Sequence, residues 1–287
     1  MGLRTLFGLK KKKKQNISIK KEILSDDSLA ELWTQCPMCK TMLYTEELKK
    51  NFSICNKCSY HFRISAQERI NMLIDPDSWE ENNEFIITSD PLKFSDLKSY
   101  PDKIKKAKKI SEENEAIVTG TGNINSQKVA MAIMEFKFLG GSMGSVVGEK
   151  IVRLCELAEE KLLPLIIISS SGGARMHEGL FSLLQMAKTA SALEKLQEKN
   201  LLFISFLTDP TYGGVSASFA TLGDIIISEP GAKIGFAGPR VIQETIRQKL
   251  PKNFQTSEYL LEHGQIDLVI SRDKLKDKLS LLLEMHS

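Results

Sequence analysis

The feature that most restricts what this chain can fold into is a doublet. Residues 165–168 (LIII) and 202–207 (LFISFL) are short apolar runs, and each leads through polar residues into a glycine pair, Gly172-Gly173 and Gly213-Gly214. An apolar run of that length suits a strand buried on both faces, as in a sheet covered by helices. A glycine pair at the end of such a strand falls where backbone passes to a helix start. There, unpaired N–H groups and the helix dipole face outward and can hold negative charge. Glycine also lets a ligand approach the main chain closely. One such turn is an ordinary connection. Two of them, each followed by small residues, predict an oxyanion-type site built from main-chain donors rather than from a side-chain dyad.

Four of the five cysteines fall in two pairs, Cys36/Cys39 and Cys55/Cys58, each C-x2-C, with fifteen residues between the pairs. Each short loop presents two thiolates, and four thiolates close the tetrahedral shell of a structural zinc. A closed shell leaves no open position, so no catalysis is expected there. Lys40 and Lys57 lie close enough in sequence to offset its negative charge, and His61 reads as a surface or packing residue rather than a ligand. Zinc ribbons often bind nucleic acid, and Lys49, Lys50, Lys57 and Arg63 leave that secondary role open. A ribbon used for folding or for packing on a neighbour is the simpler reading.

A chain of 287 residues holds one large domain, or a small one and a medium one. Its 42% hydrophobic and 26% charged residues are those of a globular protein, and no apolar run is long enough to span a membrane. The net charge of +3 is unevenly placed: Arg4, lysines 10–14, Lys20 and Lys21 all precede the first acidic residue, Glu22. That leader lacks the apolar core of a secretory signal and reads as a solvated tail, which leaves the cytoplasm as the expected compartment.

Residues 61–114 read as a mainly helical lead-in. Ser65 and Glu68 resemble a capping box ahead of Ile70, Leu73 and Ile74, and Asp75-Pro76-Asp77 ends that helix. Trp79 and Phe85 are expected to be core anchors, and the lysines between 103 and 109 a solvated helix face. From Glu115 the pattern is two strands joined at Asn125-Ser126, then glycines 140, 141 and 144, then a helix over 146–162. Val147, Ile151, Leu154 and Ala158 recur in that helix at helical spacing, with Cys155 as a small buried hydrophobe. The two strand–Gly-Gly–helix units follow, and a period of roughly 40 residues suggests stacked supersecondary units. Beyond them come a strand, a Pro-Gly turn and a short strand within 224–234, and a helix over 241–250. The C-terminal segment is amphipathic, with Leu275, Leu279 and Leu282 along one face, and His263 is expected to cap a helix end. His177 and Glu178 are the acid–base candidates beside the first glycine pair, at positions that read as solvent-facing.

SSSGGARM (169–176), LTDPTYGGVSASFATLGD (207–224) and GFAGPRVIQETI (235–246), with FLGGSMGSVVG (138–148), resemble the beta-subunit family of bacterial and plastid acetyl-CoA carboxylase carboxyltransferases. The resemblance runs from about Trp33 to the C-terminal end. It implies an α/β fold, a crotonase-like ββα superhelix over residues 61–287, preceded by a small four-cysteine zinc ribbon over 32–60 and the basic leader over 1–31. It implies a carboxyltransferase that moves a carboxyl group from carboxybiotin to acetyl-CoA to give malonyl-CoA, the first committed step of fatty acid synthesis. The biotin would be held on a carrier protein, not on this chain. Two oxyanions then need stabilising, the biotin ureido oxygen and the thioester enolate, a task for prearranged N–H donors. By the same resemblance Gly213 and Gly214 would donate to the thioester oxyanion, while Gly172 and Gly173 would build the adjoining turn, open to a share in the same hole. The alpha subunit would supply the carboxybiotin side in an alpha2beta2 assembly, together with the biotin carboxyl carrier protein and biotin carboxylase. A stand-alone crotonase-like hydratase or thioesterase is the competing enzyme class, but it needs its own acid or base. A nucleic-acid-binding module is the competing non-enzyme class, and it leaves the glycine turns without a role.

Overall fold

The structure, a computed structural model, describes residues 32–286; the basic leader expected over residues 1–31 lies outside them. Its centre is an eight-stranded sheet. In spatial order the strands are β10 (Leu268–Val269), β8 (Ile225–Ser228), β7 (Phe203–Tyr212), β6 (Leu165–Ser171), β5 (Gln127–Met134), β4 (Ile117–Ile124) and β3 (Glu80–Asn82), and β9 (Ile234–Gly235) pairs with the end of β7. β3, β4 and β5 are antiparallel, with the β4–β5 turn at Asn125 and Ser126, both at positive φ. From β5 to β10 every pairing is parallel.

The apolar runs are continuous because both faces of the sheet are covered. Ala130, Ala132, Leu165, Ile167, Phe203 and Leu207 point to one side. They meet Val147, Ile151, Leu154 and Ala158 of helix α4 (Ser145–Lys161) and Leu193 and Leu196 of α5 (Leu180–Glu198). Their neighbours Met131, Ile133, Ile166, Ile168, Ile204 and Phe206 point to the other side. There they meet Ile70 and Leu73 of α2 (Ala66–Leu73) and Leu275, Leu279 and Leu283 of α9 (Leu275–Met285). Such burial is worth about 25 cal/mol per Å² of apolar surface. The capping box at Ser65 and Glu68 is present, and Cys155 is buried in α4.

Two expectations are corrected, the burial of Phe85 and the bounds of the helix read over 241–250. Phe85 is not a core anchor: it is 74% exposed in the stretch after β3, whereas Trp79 packs on Gly120 and Gly122 of β4. In α9 Leu275 and Leu279 are buried and Leu282 packs against the same cluster, as expected, and Leu283 joins them as a further buried position. The helix read over 241–250 is α7 (Pro239–Ile246), which begins at a proline and ends at left-handed Arg247.

At the N-terminal end a two-stranded ribbon, β1 (Trp33–Gln35) and β2 (Met42–Tyr44), is followed by α1 (Thr45–Lys50). Arg272 fastens it to the body. Its guanidinium donates to the carbonyls of Phe52 (2.9 Å) and Phe62 (2.8 Å) and to Glu229, which also accepts from Arg69 (2.8 Å). All three charged side chains are buried. Burial pushes the Glu229 carboxyl up, but Arg69 and Arg272 outweigh it and hold the pKa at about 2. His61 is a packing residue: it is buried, its Nδ1 lies 2.9 Å from the Ser59 carbonyl, and its Nε2 accepts from the Arg272 amide.

Candidate active site and zinc centre

The two C-x2-C loops have the same local geometry. In each, the first cysteine's amide donates to the carbonyl five residues on, Cys36 to Thr41 and Cys55 to Tyr60, both at 2.9 Å. The amide four residues on returns the bond, and Lys40 and Ser59 at those positions both take positive φ. Two matching knuckles therefore face each other. The four Sγ atoms lie within 4.8 Å of one another, with Cys36 and Cys58 at 3.6 Å and Cys39 and Cys55 at 3.7 Å. Four sulfurs on a tetrahedron at zinc–thiolate bond length are roughly 3.8 Å apart, so the residues fit a closed structural zinc site.

The glycine pairs come together because β6 and β7 are parallel neighbours with Ser171 opposite Thr211. Their C-terminal ends reach the same edge of the sheet, where open α/β sheets place their ligands. The two turns touch through main chain. A Cβ on Gly173 (φ +120°) would lie 3.1 Å from the Gly213 Cα, and one on Gly213 (φ +58°) would lie 3.0 Å from the Gly173 Cα. Neither position admits a side chain. Only the second pair opens a helix, the short α6 (Gly213–Ser216). The first pair does not, contrary to the sequence reading: α5 starts at Leu180, after a turn containing a 3-10 segment at Met176–Glu178.

Three of the four glycine amides are already used. Gly172 donates to the Gly140 carbonyl (2.9 Å), Gly173 to Ser171 Oγ (3.0 Å) and Gly213 to the Phe236 carbonyl (3.0 Å). Gly214 has no acceptor among the described residues, and neither has the amide of Ala174. Both amides are aimed by their peptide planes. The Gly173 carbonyl accepts from Met143 (2.8 Å), and the Gly213 carbonyl accepts from Ser216 Oγ and the Ala217 amide, each at 3.0 Å. In a trans peptide the N–H points opposite to the carbonyl, so each following N–H is turned away from those donors. The free pair is close: a Cβ on Gly214 would lie 3.5 Å from the Ala174 nitrogen and 3.2 Å from the Ala174 Cβ. Sequence reading missed Ala174 because a main-chain donor leaves no side-chain signature. Its place directly after a Gly-Gly turn was the available signal.

Behind the first turn lies a buried ionic cluster. Arg175 is 1% exposed and donates to Ser142 Oγ (3.1 Å), the Ser142 carbonyl (2.7 Å), Glu115 (2.5 Å), Glu178 (3.3 Å), Tyr100 Oη (3.3 Å) and Thr88 Oγ1 (3.1 Å). Glu115 accepts further from Thr88 and from the Ala116 amide. Glu178 is buried rather than solvent-facing, and accepts from Tyr100 Oη and from the Ser145 amide and hydroxyl, each at 2.6 Å. It thus caps α4, where the helix dipole favours an anion. Burial raises its pKa, but the Ser145 and Tyr100 donors and Arg175 bring it below the ordinary value. His177 stacks on Tyr100 with ring centroids 4.9 Å apart, and its Nε2 is 3.2 Å from Lys103 Nζ. Burial and the Lys103 charge lower its pKa. Glu178, held by Tyr100, Ser145 and Arg175, does not stand free to move a proton, while His177 keeps a buried Nδ1 with no partner among the described residues.

Two family models match the chain: the carboxyl transferase domain over residues 63–279 and the acetyl-CoA carboxylase zinc finger domain over 33–58. A relative from Desulforamulus reducens, the acetyl-coenzyme A carboxylase carboxyl transferase subunit beta, is 56% identical over 255 residues, which cover 89% of this chain and 88% of that one. A protein of Natranaerobius thermophilus, named for subunits beta/alpha together, is 54% identical over 255 residues, and there the match covers only 42% of its length. Among solved structures, the transcarboxylase 12S core with methylmalonyl-coenzyme A bound is similar with a TM-score of 0.67 and 27% identity, over 83% of this chain and 42% of that one. A Pseudomonas malonate decarboxylase hetero-dimer shares the fold, with a TM-score of 0.59 at 21% identity over 77% of this chain and 86% of that one.

Proposed function

The chain belongs to the carboxyl transferase domain family, and on that premise we propose that it is the beta half of an acetyl-CoA carboxylase carboxyltransferase. Residues 32–60 are its zinc ribbon and residues 61–287 its transferase body. The reading rests on one observation: two unengaged, plane-fixed amides, Gly214 and Ala174, lie side by side at the C-terminal edge of parallel strands.

The chemistry follows from what those amides can do. Removing a proton from the methyl carbon of acetyl-CoA moves negative charge onto the thioester oxygen. Two N–H donors held in place before the charge develops stabilise it without reorganisation, each worth about 3 kcal/mol of barrier. Gly213 supports them by turning the strand into α6, and Gly172 and Gly173 hold the facing turn. Carboxybiotin, carried on the partner carrier protein, would supply the carboxyl group, and the ureido nitrogen that loses it would take up the methyl proton. No acid or base is needed from this chain, in keeping with the fully engaged carboxylate of Glu178. The ribbon's zinc, held by Cys36, Cys39, Cys55 and Cys58, is structural.

The partner face is suggested by an inversion in α5. Ser182, Gln185 and Thr189 are turned inward, while Leu180, Phe181, Leu183 and Leu184 are exposed. A helix with apolar residues outward is built to be covered. A carboxyltransferase alpha subunit, fused to the same chain in the Natranaerobius relative, is the fitting occupant. No helix among the described residues is long and apolar enough to cross a membrane, and we place the enzyme in the cytoplasm.

The test is the reverse reaction, malonyl-CoA plus free biotin, with this chain alone and with an alpha subunit. Transfer only in the mixture is the expected result. Transfer by the chain alone would overturn the division of the site between two subunits. Silence in both, with the chain folded and zinc-loaded, would overturn the carboxyltransferase reading.

A further inference from the structure

We infer that Arg175 is a positioning residue for the transfer reaction: its buried guanidinium locks the 140–145 loop against the 172–178 turn and thereby sets the direction of the Ala174 amide. This rests on the proposed use of Ala174 and Gly214 as oxyanion donors.

The chain of contacts is short. Arg175 holds the Ser142 peptide through its carbonyl and its hydroxyl. The next residue, Met143, donates its amide to the Gly173 carbonyl (2.8 Å) and accepts from the Arg175 amide (2.8 Å). The first of these bonds fixes the Gly173–Ala174 peptide plane, and so the Ala174 N–H. A second tie, Gly172 amide to Gly140 carbonyl, holds the same two loops together from the other end. Glu178 completes the frame by joining the turn to the start of α4 at Ser145.

The cluster is larger than packing alone requires. One cation faces two buried carboxylates, Glu115 and Glu178, and all of them are hydrogen-bonded. Such a buried group is often no more stabilising than apolar residues of equal volume. What it does supply is direction. The planar guanidinium uses its N–H groups in fixed geometry toward β4's approach, the 140–145 loop, α3 (Tyr100–Ser111) and its own turn. Lysine carries the charge but not the fork.

The experiment compares wild type and Arg175→Lys, each assembled with the alpha subunit, in the malonyl-CoA-plus-biotin reaction. Melting temperature and zinc content are measured alongside. A displaced donor acts on the charge that develops in the transition state, so kcat should fall about 10- to 100-fold with KM for malonyl-CoA within about 2-fold. A folded Arg175→Lys complex with unchanged kcat, or with KM rising in step while kcat holds, would overturn the inference and leave the function standing. If Arg175→Lys does not fold, Tyr100→Phe decides. It removes one hydroxyl shared by Arg175 and Glu178 but keeps the ring on His177. A kcat loss of about 3- to 10-fold at constant KM supports the positioning role. Unchanged kcat in Tyr100→Phe overturns it. A wild-type complex that transfers no carboxyl group overturns the underlying function, and this inference with it.

Discussion

At the scale of single residues, the same charge types meet opposite fates according to their partners. Glu229 sits between two arginines and stays ionised, whereas Glu113 makes no ion pair among the described residues. Burial, then the charges of Glu81 and Glu135, push the Glu113 carboxyl up to about 7, with Lys150 opposing them. A carboxyl whose pKa is higher folded than unfolded binds its proton more tightly in the native state. Its contribution is therefore intact below the ordinary value of 4.5 and is lost as pH rises through about 7. Glu113→Gln removes that titration, so its melting temperature relative to wild type should climb between about pH 4.5 and 7 and level off above. A difference that stays flat across that window would contradict the assignment. The zinc ligands were readable in the sequence because a chelating knuckle is local, four residues long and fixed by its own hydrogen bonds. Arg175 was not. Its partners Thr88, Tyr100 and Glu115 lie 60 to 87 residues away in sequence, and an arginine within a glycine-rich motif carries no mark of burial.

Among elements, the decisive relation is the parallel register of β6 and β7, which brings two turns roughly 40 residues apart into contact. The apolar runs and their glycine pairs announced both strands. What they could not announce was that the first turn continues as a loop to Leu180, with its two glycine amides spent on Gly140 and Ser171 and the Ala174 amide left over. Hydrogen bonds made at long range decide which donors remain free. The same holds for the ribbon, whose cysteines predict its fold but not its attachment. Arg272 makes that attachment, and Arg272→Ala would leave Glu229 facing Arg69 alone and the carbonyls of Phe52 and Phe62 without this donor. Breaking a buried ionic group in this way costs about 3–5 kcal/mol. Urea unfolding should register that loss, and limited proteolysis should release the ribbon with its metal still bound. A loss under about 1 kcal/mol would show that the ribbon is held by other contacts.

For the whole molecule, the surface is as informative as the core. The exposed Leu180, Phe181, Leu183 and Leu184 of α5 follow the turn that bears Ala174, and α7 has no buried residue. Leu184→Asp should leave the isolated chain's melting temperature unchanged, since the side chain is already half exposed, and abolish co-elution with an alpha subunit on a sizing column. Retained co-elution would move the interface elsewhere. Sequence periodicity hid this face, because apolar residues in α5 read as core whichever way they point. The central claim, however, is that main-chain donors at the meeting of two glycine turns carry the chemistry, and one measurement addresses it most directly. Gly214→Val puts a side chain against the Ala174 Cβ and Met186 Sδ, each 3.2 Å from the new Cβ, and covers the free amides. In the assembled complex, with zinc content and melting temperature as controls, kcat for malonyl-CoA plus biotin should fall by at least about 100-fold. A folded Gly214→Val complex that turns over at the wild-type rate would contradict the account.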